Sequence, residues 1–159
     1  LKGIFYGFVV IIASVTYNVA TILIFGQRES NTNQQAIEGV IAAYPFLNFF
    51  WIVLFGPLVE EFLYRIGLFG GLRKINRVVA YVVSGLIFGF MHFTIPFDAN
   101  GGIIHAELIN EFINIPSYII SGLLFAYIFD KEGFATSATA HITNNLISFI
   151  VTMIGIYAT

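Results

Sequence analysis

Long apolar stretches separated by short polar ones set the first picture of this chain. No charged residue occurs from Gly3 to Phe25, which predicts a first membrane-spanning helix, since roughly 20 apolar residues cross a bilayer. Gly26 to Gln35, with Gln27, Arg28, Glu29, Asn31 and Asn33, reads as a solvated loop. A second helix is expected to start between Ala36 and Pro45 and to run to about Leu72. Gly56-Pro57 should kink it, because proline removes a backbone donor and crowds the preceding turn. After the basic turn of Arg73, Lys74, Asn76 and Arg77, residues 78 to 95 predict a third span ending near Pro96, 116 to 129 a fourth, and 134 to 157 a fifth. The connection from Phe97 to Ile115 mixes Asp98, His105, Glu107 and Glu111 with apolar residues and reads as an interfacial helix or a re-entrant piece. The expectation is an all-α polytopic transmembrane bundle of about five spans, forming a single domain over residues 1–159.

Composition agrees with the pattern. Of 159 residues, 58% are hydrophobic and 10% charged, with a mean hydropathy of +0.87, whereas soluble domains carry about 25% charged residues. No cysteine is present, so disulfides, a thiol nucleophile and Cys-liganded zinc are excluded. The formal net charge of −2 gives no reason to expect nucleic acid. The first residue is Leu1 rather than Met, as expected of a portion of a longer protein. The first apolar stretch is longer than a signal-peptide core and lacks a clear small-residue cleavage site. On a five-span layout Lys2, Arg73, Lys74, Arg77 and Lys131 fall on one side against Arg28 on the other, which puts the N-terminus inside and the C-terminus outside. Counted from Arg73 and from Lys131 at a helical rise of about 1.5 Å per residue, Glu60 and His141 come out roughly 20 and 15 Å deep, in one middle layer.

At that depth lie three polar constellations: Glu60 and Glu61 with Arg65, Phe88 with His92, and His141 with Asn145. Ionisable groups inside a bilayer are costly and persist by pairing or by serving function. Helical phase places Glu61 over Arg65 and turns Glu60 about 100° away. Glu61 with Arg65 can form a buried ion pair that steadies the helix, leaving Glu60 to face a cavity as a general base, a role that an apolar environment favours for a carboxylate. His92 is the natural partner to hold its water. His141 and Asn145 share one face of the fifth helix, and two donors aimed at one point are what an oxyanion requires. Each constellation alone has an ordinary explanation: a tolerated ion pair, a packing histidine, or interhelical hydrogen bonds. Gly85 and Gly89 form a small-xxx-small pattern that close helix packing explains. Three constellations at one depth point instead to a shared site.

Glu60-Glu61-Phe62-Leu63-Tyr64-Arg65, Phe88-Gly89-Phe90-Met91-His92 and His141-Ile142-Thr143-Asn144-Asn145 match EExxxR, FxxxH and HxxxN in order. They resemble the motifs of the CPBP family of CAAX proteases and bacteriocin-processing enzymes, also called Abi, over about residues 45–150. The resemblance implies an all-α intramembrane glutamic endopeptidase. In it Glu60 activates water with His92, His141 and Asn145 form the oxyanion site, and Glu61 and Arg65 give structural support. Members that process prenylated proteins face the cytosol, so the charge count implies a deep inward-opening cavity or a different topology. No metal is expected, because HExxH is missing. Zinc held by Glu60, His92 and His141 is the alternative.

The function expected is therefore hydrolysis of a peptide bond presented at or within the bilayer, on a short peptide or a lipid-associated C-terminal segment, in a bacterial cell membrane. A non-catalytic immunity or scaffold protein that keeps the polar cluster for packing is the alternative, and a proton-coupled transporter with so few spans is a third.

Overall fold

The structure, a computed structural model, describes residues 1–27 and 30–158. Arg28, counted above on the outer side, and Glu29 lie outside the described residues. The described residues form six helices: α1 (Lys2–Phe25), α2 (Thr32–Ala43), α3 (Pro45–Leu72), α4 (Arg77–Phe90), α5 (His105–Glu132) and α6 (Phe134–Tyr157). No strand occurs among the described residues, and a single bridge between Phe97 and Ile103 tightens the α4–α5 connection. Helices α1, α3, α5 and α6 are long and apolar enough to cross a membrane. Helix α4, with 14 residues, rises only about 21 Å, so the expected third span is short. The chain is an integral membrane protein whose outer faces carry large apolar side chains such as Phe5, Ile12, Trp51 and Val151.

Three boundaries differ from the sequence reading, each for a local reason. The expected loop over Gly26–Gln35 is shorter, because Asn31 caps a new helix: its Oδ1 accepts from Gln34 N at 3.0 Å. Pro45 then separates α2 from α3, since the residue before a proline is driven out of the helical region, and Tyr44 sits at φ −143°, ψ 68°. Pro116 does not end a segment. Helix α5 runs through it from His105, so the polar stretch from His105 to Ile115 belongs to a 28-residue helix and not to a separate interfacial or re-entrant piece. Its Glu111 is buried and accepts from the first backbone N–H of α2, Thr32 N, at 2.6 Å.

Helix α3 is not a straight α-helix. Phe49–Phe55 and Phe62–Phe69 wind as π-helix on either side of an α-helical turn, Gly56–Glu61. The distortion expected at Gly56-Pro57 takes this form, and Gly56 N–H bonds Trp51 O five residues back. Extra residues per turn shorten the helix, so the depth counted from Arg73 was too large. Glu61 in fact bonds Ser137, about one turn into α6.

Helices α1, α4 and α6 start, and α3 and α5 end, at one end of the bundle. There Lys2 Nζ lies 2.7 Å from Glu132 Oε2, and Arg73 and Arg77 both pair with Asp130, which also accepts from the Tyr81 hydroxyl at 2.9 Å. The basic residues assigned to one side thus share an end of the bundle. Helix α4 packs mainly on α5, and α1 on α6. Glycines permit both approaches. A Cβ at Gly89 would fall 2.3 Å from Ile119 Cγ1 and 3.1 Å from its backbone N, and one at Gly7 would fall 2.9 Å from Ala140 O. We expect Gly89→Val to cost about 1–3 kcal/mol through overpacking in detergent-solubilised unfolding. Gly71→Ala, where a Cβ meets nothing within 4 Å, should stay within about 0.5 kcal/mol of wild type.

Candidate active site

Glu60 and Glu61 close the α-helical turn of α3, and Arg65 lies in the π-helical turn that follows. Glu61 and Arg65 are fully buried, with Arg65 Nε 3.3 Å from Glu61 Oε1. The i, i+4 pairing read from sequence is therefore present. Arg65 Nη1 also donates to Ser84 Oγ on α4 at 2.8 Å, and its guanidinium carbon lies 5.1 Å from the Phe88 ring centroid. Ser84 and Ser137, both fully buried, were not singled out in the sequence. Ser137, one turn before His141 and so on its face of α6, was the more legible of the two.

Glu61 does more than steady α3. Its Oε2 accepts from the Ser137 hydroxyl, and its Oε1 lies 3.2 Å from His141 Nδ1. A carboxylate can only accept, so Nδ1 must carry the hydrogen. The opposite nitrogen, Nε2, then faces Glu60 with Oε2 at 3.9 Å. The ring is further fixed by stacking on Phe125, with centroids 4.3 Å apart and planes inclined by 22°. His141 therefore bonds Glu61 through one nitrogen and faces Glu60, without a hydrogen bond, through the other, where helical phase alone had assigned the glutamates separate surroundings.

Asn145 is anchored in a way that its spacing from His141 did not reveal. Its Nδ2 donates to Ile52 O at 3.0 Å, and its Oδ1 accepts from Asn144 Nδ2 at 3.1 Å. The five-residue ladder of the first π-helical stretch would pair Ile52 O with residue 57, but Pro57 has no N–H. Gly56 N–H is already committed to Trp51 O. Asn145 supplies the missing donor, and one of its two amide hydrogens remains for another acceptor.

His92 lies beyond the end of α4, in a turn, instead of on the helical face expected from FxxxH. Its Nδ1 is still 2.8 Å from Phe88 O. A carbonyl accepts, so in the neutral ring Nδ1 is the donor and Nε2 an acceptor. Phe88, 2% exposed, stands between the two histidines, its ring centroid 5.0 Å from that of His92 and 5.8 Å from that of His141.

All four residues proposed from sequence, Glu60, His92, His141 and Asn145, line one cavity of about 930 Å³. This is room for much more than one water, which occupies about 30 Å³. The remaining walls include amide and hydroxyl side chains, among them Ser14, Asn18, Asn31, Asn114 and Ser148. Among the described residues no group of three His, Cys, Asp or Glu side chains is placed to hold a metal ion.

The chain is similar to membrane proteases and matches one family profile. The chain is 29% identical over 132 residues to the membrane-embedded CAAX protease MroQ of Staphylococcus aureus (strain USA300), covering 77% of this chain and 46% of that protein. It is 37% identical over 70 residues to the putative membrane peptidase YdiL of Bacillus subtilis (strain 168), covering 43% of this chain and 28% of that one. The chain thus spans less than half the length of these relatives. No solved structure matches it. The profile of the Type II CAAX prenyl endopeptidase Rce1-like family matches residues 42–147, a stretch that holds α3, α4, α5 and all the motif residues at the cavity, and the chain belongs to that family.

Proposed function

We propose that this protein is an intramembrane endopeptidase that hydrolyses a peptide bond with a water activated by Glu60. The observation that carries the reading is the convergence of Glu60, His92, His141 and Asn145 on one cavity, with His141 held between Glu61 and Glu60. Glu60 accepts a proton from water while His92 Nε2 accepts a hydrogen bond from the same molecule. The hydroxide adds to the carbonyl carbon of the scissile bond. Charge building on the carbonyl oxygen meets the free amide hydrogen of Asn145 and, with its ring protonated, the Nε2–H of His141, whose positive charge Glu61 balances at Nδ1. The C–N bond then breaks as Glu60 returns its proton to the departing amine. Every proton is accounted for within these side chains, and no metal takes part.

The substrate proposed is a peptide or lipid-associated C-terminal segment reaching the cavity from the bilayer. Two probes separate its classes: a fluorogenic peptide ending in a prenylated CAAX sequence, and an unmodified apolar peptide. With whichever is cleaved by reconstituted protein, Glu60→Gln should slow turnover by about 10²–10⁴-fold, and cleavage at the wild-type rate would sink the mechanism. Loss of activity to a chelator, restored by added zinc, would overturn the metal-free assignment.

Glu61→Gln is expected to fail differently. It leaves Arg65 buried without its counter-charge, which should cost about 3–5 kcal/mol of stability. Unfolding in detergent should show that loss for Glu61→Gln and a much smaller change for Glu60→Gln, whose side chain is 32% exposed.

A further inference from the structure

Helix α4 stops at Phe90, so regular backbone geometry does not fix the ring of His92. The bond from Nδ1 to Phe88 O decides which nitrogen faces the main chain. It leaves the tilt of the ring plane open. Tyr118 of α5 supplies the missing restraint: its ring stacks on His92 with centroids 4.5 Å apart and planes inclined by only 13°. Face-to-face contact covers one side of the imidazole and leaves its edge, with Nε2, free to bond. Tyr118 is itself fixed from a third element. Its hydroxyl lies 3.3 Å from Asn31 Nδ2 and 3.4 Å from Asn33 Nδ2, and Asn31 also caps α2. Tyr118 lines the same cavity as His92 and Glu60.

We propose that Tyr118 is a positioning residue for His92: its ring sets the plane of the imidazole, and the start of α2 sets the place of Tyr118. It exchanges no proton with substrate or water. The proposal rests on the peptidase reading for its effect on rate, whereas the stacking stands independently of it. A residue that orients a water-holding group acts on kcat more than on KM, because misplacement by even ~1 Å can cost on the order of 100-fold in rate.

The test uses the full chain in detergent micelles, with ¹⁵N-labelled histidine and the His92 resonances identified by their loss in His92→Gln. The tyrosine ring current should shift the His92 ring protons upfield. Tyr118→Leu should abolish that shift and lower kcat on the cleaved peptide by about tenfold or more, with KM changed by less than about twofold. Tyr118→Phe keeps the ring and loses only the hydroxyl's hold on α2, so its shift and its kcat should lie between those of wild type and Tyr118→Leu. A merely space-filling role would not separate the phenylalanine and leucine variants. Tyr118→Met gives a second non-aromatic side chain should the leucine variant not fold. Wild-type kcat in the non-aromatic variants overturns the positioning role even if the resonances move. If wild-type protein cleaves neither peptide, the peptidase reading fails, and unmoved His92 resonances in Tyr118→Leu would still overturn the contact by themselves.

Discussion

Two opposite charges, Glu61 and Arg65, are closed off completely from the surroundings, and the bonds that serve them tie α3 to its neighbours, although Arg65 Nη2 has no partner. A buried ion pair repays its desolvation only when further hydrogen bonds serve its remaining atoms. Those come from Ser84 on α4 and from Ser137 and His141 on α6, while the rings of Phe88 on α4 and Phe125 on α5 lie within 6 Å of the guanidinium carbon. The pair belongs to α3, yet its partners lie on three other helices. Moving any one of these elements would strand a charge, so the pair holds the helices that carry the candidate site in register.

The same economy governs the backbone of α3. Pro57 leaves Ile52 O without its ladder partner, and Asn145 fills that position from α6. One helix irregularity thus locates a side chain of the site, and the glutamates follow at the end of the next turn. At membrane depth, irregular backbone is tolerated where it lines a cavity or is covered by protein, and both Ile52 and Asn145 border the cavity here. Under the proposed mechanism, three of the four residues near the reacting bond are held by a group with no chemical step of its own: His141 by Glu61, Asn145 by Ile52 O, and His92 by Phe88 O.

Much of this was legible in the chain. Long uncharged stretches marked α1 and α6 nearly to the residue, and the four-residue spacing of Glu61 and Arg65 gave their pairing, because both signals are local. Helix α2 was hidden by its polar start: Asn31 and Gln34 read as loop, though they are a helix cap and its donor. Pro116 suggested a boundary, but the helix on either side continues through a single missing donor. His92 was read on a helical face because apolar residues continue beyond Phe90, while the chain there leaves the helix.

Sequence by itself determined a helical membrane bundle and singled out polar residues that line its cavity, because hydrophobic length and helical phase are properties of neighbours along the chain. It also separated the adjacent glutamates by direction. Only the tertiary structure decided that His141 bonds Glu61 while facing Glu60, that Asn145 completes the backbone of α3, and that Tyr118 lies against His92. Those relations link residues on different helices. They depend on a π-helical winding and a close glycine packing whose outcome no single segment contains.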